Sequence, residues 1–250
     1  MNDKIRIISY NICALPWWAN IFGDPINRID NIILFLEKKN PDIICLQEVF
    51  DPGILFIIKT KLAQYNFYKP KNGNNILNSG LLILSKTKII NSYYEKFTDS
   101  CGEDRYSDKG FISITTKING NNFTIINTHL NADAIFSTYD TCEETRMKQM
   151  EQLLHKFNNK LNCNTLLCGD FNIDFTTISG KKIYKKIKGL TASCVKSKKM
   201  ITFDDENIQF DQIFYIPKIN YNYKCRYKVY NNRYKGLSDH YPIQLQLTRH

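Results

Sequence analysis

Apolar runs of strand length alternate with stretches of helical periodicity along the whole chain, and that interleaving predicts an α/β protein. Two of the strand-like runs, 110–118 and 122–129, are neighbours at hairpin distance, so the strands are not all parallel. Two packed sheets covered by helices accommodate both observations.

The strand-like runs lie near 4–12, 42–47, 80–85, 110–118, 122–129, 164–169, 211–216 and 242–248. Between them, Ile29, Ile32, Ile33 and Leu36 repeat at i, i+3, i+4 and i+7, and Pro41 stops the helix they predict. Asp51 followed by Pro52 reads as an N-cap with proline at the first helical position, opening a helix through Ile54, Ile57, Ile58 and Leu62. Thr141 and Glu144 have capping-box spacing ahead of Met147, Met150, Leu153, Leu154 and Phe157. The stretch from Lys69 to Asn78, rich in Asn, Lys and Gly, reads as a surface loop or hairpin connection. No internal repeat or long linker interrupts the chain. Residues able to do chemistry run from Asn11 to His240 and must converge to be useful, which predicts one domain over 1–250.

The apolar fraction of 43% and aromatic fraction of 13% suit a real core, and a domain of 250 residues needs no stapling. Met1 to Ile8 alternates like a strand and lacks the apolar centre of a secretory signal, and no run is long enough to span a bilayer. The eight cysteines, Cys13, Cys45, Cys101, Cys142, Cys163, Cys168, Cys194 and Cys225, include no CxxC pair. Several sit in strand-like apolar runs, where a thiol is a small hydrophobe. The expectation is reduced thiols and a cytoplasmic protein, with neither a zinc site nor a disulfide framework. A net charge of +10 fits a polyanionic partner, nucleic acid or an anionic membrane surface. It equally fits a solvated lysine surface, so charge does not choose the substrate.

The polar residues of interest stand where apolar strands end or begin. Asn11 closes the first strand and Glu48 follows the second. His129 ends the run from Phe123, while Asp170 and Asn172 follow the run from Thr165 with a period of two. Asp211 opens a strand, and Asp239-His240 precedes the last one. Taken singly each has an ordinary reading: Asn11 a turn former, His129 a satisfied core histidine, Asp211 a cap, Glu48 an exposed strand end. Six such positions carrying metal-type or acid/base groups are hard to assemble by accident. Hard divalent ions take oxygen ligands, and magnesium takes one or two carboxylates with several waters. Histidine titrates near neutrality, and an acid such as Asp211 can fix its tautomer. Phosphoryl transfer uses this equipment.

Together, Ser9-Tyr-Asn11, Leu46-Gln-Glu48-Val, Asn127-Thr-His129-Leu, Gly169-Asp-Phe-Asn172, Asp211-Gln-Ile-Phe and Ser238-Asp-His240-Tyr-Pro resemble the endonuclease/exonuclease/phosphatase superfamily, in order and over nearly the whole chain. The resemblance implies a four-layer α/β/β/α sandwich of the deoxyribonuclease-I-like type with two packed mixed sheets. It implies a magnesium cofactor, with manganese or cobalt able to substitute, held by Glu48 and Asn11 with help from Asp239. It implies Asp170 and Asn172 at the attacking water or phosphate, His240 as base oriented by Asp211, and His129 stabilising or protonating at the phosphate.

Within the superfamily the chain is most similar to neutral sphingomyelinases. Cys101 to Phe111 resembles the segment before their central strand, and Asp104 and Lys109 match an aspartate–lysine pair of their substrate site. A solvated edge lysine is as good a reading of Lys109 alone. The path from Asn172 to Asp211 is shorter than in that branch, with no obvious counterpart of an aromatic docking hairpin. Trp17-Trp18 reads either as an interfacial tip or as a packing pair. The implied reaction is hydrolysis of sphingomyelin or a related phospholipid at a membrane surface to ceramide and phosphocholine. A deadenylase-like nuclease acting on DNA or RNA is the alternative, ahead of an inositol-lipid phosphatase. A catalytically dead lipid- or nucleic-acid-binding scaffold is disfavoured, because every matched position carries a competent residue.

Overall fold

The computed structural model describes residues 4–16, 18, 23–71, 73–134, 142–157, 163–175, 177–189, 201–203, 208–218, 223–231 and 236–249. Among the described residues, eleven strands form two sheets. The first contains β1 (Lys4–Ala14), β2 (Ile43–Val49), β3 (Asn66–Tyr68), β4 (Leu82–Ser85), β10 (Tyr223–Val229) and β11 (Ile243–Arg249), in the order β10-β11-β1-β2-β4-β3. The second contains β5 (Ile89–Lys96), β6 (Gly110–Ile118), β7 (Asn121–His129), β8 (Asn164–Asp170) and β9 (Asp211–Ile216), in chain order. Each sheet is mixed: β1 and β2 are parallel, as are β7 and β8, and the other pairs are antiparallel.

Strand periodicity builds the layers. Ile5 and Ile7 of β1 join Cys45, Ile83, Ile112, Ile125, Leu166 and Leu245 in a core between the sheets. Ile8 and Tyr10, one residue out of phase, face the other way. There they meet Ile29, Ile33 and Leu36 of helix α1 (Ile26–Lys39) and Ile58 of helix α2 (Pro52–Lys61). On the far side, Phe111, Ile126, Leu167 and Phe214 pack against Met150 and Leu153 of helix α3 (Glu143–Phe157) and Ile183 and Ile187 of helix α4 (Ile178–Gly189). Strands apolar on both faces follow from being covered on both faces. The layers are α/β/β/α, as expected.

The helix signals have structural counterparts. Asp51 accepts the Ile54 N–H through Oδ1 at 2.9 Å, capping α2 with Pro52 at its start. Helix α1 ends before Pro41 with Asn40 in the left-handed conformation. Thr141 of the expected capping box lies outside the described residues. Strands β3, β5 and β10 and helix α4 went unforeseen.

One expectation is corrected. Cys101 and Cys142 form a disulfide, 41 residues apart. A pairing that distant is invisible as spacing, and both cysteines lie in connections rather than in the apolar runs that suggested reduced thiols. Disulfides persist in oxidising surroundings, so cysteine usage no longer supports a cytoplasmic setting. Cys13, Cys45, Cys163, Cys168 and Cys225 are free thiols. Among the described residues, no helix is long and apolar enough to cross a membrane.

Candidate active site

Register brings the polar strand ends together. His129 stands opposite Asp170 across β7 and β8, and Asp170 opposite Asp211 across β8 and β9, so three titratable groups form a row on adjacent strands. A Cβ at Gly169 would sit 2.1 Å from the Thr128 carbonyl oxygen, so only glycine lets β7 and β8 close beside this row. In the other sheet Asn11 pairs with Gln47, which places Glu48 beside it. Below the site, Gln47 donates to Asn127 Oδ1 at 2.6 Å and to Ser9 Oγ at 3.1 Å, joining the two sheets through buried polar groups.

Asn11 is the hub. Its Nδ2 donates to Glu48 Oε1 at 2.8 Å and to Asp170 Oδ2 at 3.0 Å, so one amide spans both sheets. Cys13, Glu48 and Asn172 all adopt positive φ, at 47°, 58° and 49°. Non-glycine residues there are strained, and such strain collects at functional sites. Local bonds hold it: the Cys13 N–H donates to Asn11 Oδ1, and the Asn172 N–H to Asp170 Oδ1.

Two imidazoles flank Asp170. His240 Nδ1 lies 2.8 Å from Asp211 Oδ2, and its Nε2 lies 3.5 Å from Asp170 Oδ2. His129 Nε2 lies 3.5 Å from the same Asp170 oxygen and 3.1 Å from Lys109 Nζ. Lys109 donates to Asp104 at 2.7 Å and to the Leu130 carbonyl at 3.2 Å, while Asp104 also accepts the Ala132 N–H. Lys109 is therefore buried and wired to His129, which removes the solvated-lysine reading. Asp239 follows Ser238, whose hydroxyl donates to the Asn11 carbonyl and ties the last motif to the first. Asn172 donates to the Leu130 carbonyl at 3.0 Å. Trp18 is exposed, and Trp17 lies outside the described residues.

Electrostatics divide the groups. Burial, then Lys109, pushes the His129 imidazole down to about 3, so it is neutral near pH 7. Burial opposes charge on His240 too, but Asp211 and Asp170 outweigh it and raise its pKa well above the usual value. Burial pushes Asp211 up to about 6 against the pull of His240, so near neutrality this pair is carboxylate and imidazolium. Burial also opposes ionisation of Asp170, but His240 and His129 prevail and hold its carboxyl below the ordinary value. Glu48 is pushed up to about 7 by removal from water and by the charge of Asp239, against the Asn11 hydrogen bond. Ligand atoms of Glu48, His129 and Asp170 lie within 4.8 Å of one another, as do those of Asp170, Asp211 and His240.

Several supporting residues went unread in the sequence. Arg28 of α1 is buried and donates to the Ile12 and Cys13 carbonyls at 3.1 and 2.7 Å and to that of Leu237. Asn131 accepts the Cys101 N–H and donates back to its carbonyl, fixing the disulfide loop next to Asp104. Thr202 Oγ1 accepts the Phe210 and Asp211 N–H groups, and the Phe203 ring lies 4.9 Å from that of His240. Arg28 did leave a signal, a charge four residues before Ile32 on the apolar stripe of α1.

The Endonuclease/Exonuclease/phosphatase family model matches residues 9–215. Sphingomyelinase C 2 of Leptospira interrogans is 31% identical over 149 residues, covering 51% of this chain and 24% of that protein. Sphingomyelinase C of Bacillus cereus is 25% identical over 205 residues, covering 69% of this chain and 58% of that protein. The matched part is thus less than two thirds of either relative's length. A beta toxin mutant from Staphylococcus aureus with bound magnesium ions has the same fold, with TM-score 0.81 and 20% identity over 97% of this chain and 99% of that one. So does D. rerio TDP2 complexed with single strand DNA product, with TM-score 0.75 and 16% identity over 98% and 99%. A match running from the strand that carries Asn11 to the strand that carries Asp211, on a shared sandwich architecture, makes this chain a member of the endonuclease/exonuclease/phosphatase family.

Proposed function

We propose that the protein is a divalent-metal-dependent phosphodiesterase that hydrolyses sphingomyelin, or a related phosphosphingolipid, to ceramide and phosphocholine. The observation that carries this reading is the junction of Asp170 with two differently charged histidines beside the ion pair of buried Lys109 with half-buried Asp104. The relatives named as sphingomyelinases support the lipid substrate.

The donor set fits a hard cation. Glu48 and Asp239 are close enough for repulsion to raise the Glu48 pKa, and the Asn11 amide, which points Nδ2 at Glu48 and Oδ1 at the Cys13 N–H, would add another oxygen once turned over. Glu48, with Asn11 and Asp239, would hold magnesium, or manganese or cobalt in its place. When bound, the cation supplies positive charge that polarises a phosphoryl oxygen and offsets the carboxylates that keep His240 protonated.

The chain's own groups then divide the reaction. In its neutral form, which a bound cation would favour, His240 takes a proton at Nε2 from water whose oxygen attacks phosphorus, and Asp211 keeps the other ring nitrogen as the donor to its carboxylate. The bond from phosphorus to the ceramide oxygen breaks, the leaving alkoxide takes a proton from bulk water, and His240 returns the proton it gained to bulk water, so the turnover restores the base. Asp170 and Asn172 orient water and phosphate. Neutral His129 and the Lys109 ammonium stabilise charge on the phosphoryl oxygens. A cleft of about 240 Å³ beside Asn172, bordered by Phe210, Asp133 and Asp174, gives room for a cationic headgroup.

A nuclease is the second reading, favoured by the likeness to TDP2 with its DNA product and by the net charge of +10. Side-by-side turnover of sphingomyelin vesicles, single-stranded RNA and plasmid DNA in magnesium decides between them. Phosphocholine release is expected. Brisk strand cleavage without it would sink the lipid reading.

A further inference from the structure

The segment 73–80 is fastened on two sides. The Val49 N–H donates to the Gly80 carbonyl at 2.8 Å, and Asn78 Nδ2 donates to the Phe50 carbonyl at 3.0 Å, which ties the loop to the turn just after Glu48. At its other side the Leu77 N–H donates to the Tyr106 carbonyl at 2.9 Å, and Asn75 Nδ2 donates to the Ser107 carbonyl at 2.7 Å. Tyr106 ends the 3-10 helix Gly102–Tyr106, whose Asp104 holds Lys109 against His129. The loop therefore bridges the Glu48 wall of the site and the Lys109 wall.

At this bridge two large apolar side chains stand in water. Ile76 is 70% exposed and Tyr106 is 61% exposed. Single exposed apolar residues are commonplace. This pair differs because backbone hydrogen bonds fix the two residues beside each other at the rim of the site. Arg105, the chain neighbour of Tyr106, is exposed and adds positive charge. An apolar tip with a cationic flank matches the chemistry of a lipid headgroup layer, where apolar side chains enter and basic ones stay at the surface.

We propose that Ile76 and Tyr106 form a membrane-docking ledge that seats the site on a phospholipid bilayer. The proposal rests on the lipid reading above and places the scissile phosphodiester, which lies at the headgroup level, in front of Lys109 and Glu48. Neither side chain belongs to the reacting constellation, so docking and chemistry can be separated.

Vesicles of phosphatidylcholine and sphingomyelin test it, scored by flotation and by turnover, alongside turnover of short-chain sphingomyelin kept below its micellar concentration. Replacing both residues (Ile76→Ser with Tyr106→Ser) should cut vesicle binding and vesicle turnover roughly tenfold, and leave monomer turnover within about twofold. Unchanged flotation with unchanged vesicle turnover overturns the ledge and leaves the proposed reaction standing. Equal losses on vesicles and monomers with flotation intact also overturn it, because the residues then only support Asp104. Flotation is read without turnover, so it decides even if the protein hydrolyses neither lipid. In that case the reaction fails, and the ledge stands or falls on whether the double variant detaches.

Discussion

His240 and His129 face the same Asp170 oxygen at equal distance yet are pushed in opposite directions, and the reason is their second partners. Asp211 supplies His240 with negative charge, whereas Lys109 gives His129 positive charge in a buried setting. Replacing His240 by alanine should lower kcat by about 10²–10⁴-fold, the usual span for losing a general acid or base. Cooperative melting should persist, at a reduced Tm because Asp211 loses its counter-charge. Asp211→Asn is more informative, since Asp211 acts through the imidazole. Without that carboxylate the His240 pKa falls, so the acid limb of the rate profile should move to lower pH as activity drops. An unmoved limb would show that Asp211 does not set the His240 charge. At this scale the sequence was informative about which residue types gather, because each sits at a strand end. It was silent on the inequality of the histidines, which depends on Lys109 reaching across from the start of β6.

At the scale of elements, whatever was apolar and periodic could be read. Strands β1, β2, β6, β7, β8, β9 and β11 match expected runs to within a few residues, because burial on both faces leaves long apolar signatures in most of them and a strict alternation in β11. Strand β5, Ile-Ile-Asn-Ser-Tyr-Tyr-Glu-Lys, lies at a sheet edge with much of its length exposed, so no apolar rhythm marks it. Strand β10 alternates Tyr223, Cys225, Tyr227 and Val229 inward against Lys and Arg outward, a pattern that was present but diluted by charge. Helix α4 buries Ile183 and Ile187 in a lysine-rich segment. The connections between elements were the least legible, and Arg28 shows why they still matter. Its guanidinium holds the end of β1 and the segment before Ser238, so it fixes two site-bearing connections from one helix. Arg28→Met keeps the aliphatic stem and removes the donors, leaving three carbonyls short of a charged partner. The expected cost is roughly 2–4 kcal/mol, or a fall in Tm of roughly 5–15 °C. Urea unfolding measures this directly, and a change below about 0.5 kcal/mol, the level of ordinary surface substitutions, would mean that water replaces those bonds without penalty.

Across the whole molecule, the sandwich works as a device for pressing acidic groups together. Asn11 and Glu48 come from one sheet and Asp170 from the other, so the closure that buries Ile7 against Leu166 also concentrates negative charge at the mouth. Some of that charge is balanced internally, since the His240 imidazolium compensates Asp170 and Asp211. Glu48 is not balanced in the same way: burial and Asp239 push its pKa up to about 7. The folded-state pKa is raised, so Glu48 favours the fold most below its unfolded value. That contribution disappears as pH climbs through about 7. At pH 8 the metal-free protein therefore carries an ionised Glu48 at a cost to stability, and a bound cation would remove that cost. Two results should follow together. Magnesium at 100 times its Kd should stabilise the wild type by about 2.7 kcal/mol, raising Tm by roughly 5–10 °C, and chelator should reverse the shift. Glu48→Gln should melt higher than wild type in chelator at pH 8, yet gain almost nothing from magnesium. Calorimetry of four samples, each protein with and without metal, checks both. A variant that is less stable than wild type in chelator would show that Glu48 is held by its Asn11 bond rather than tolerated for a cation. A variant that keeps the full magnesium shift would move the cation away from Glu48, to the Asp170 side of the cluster.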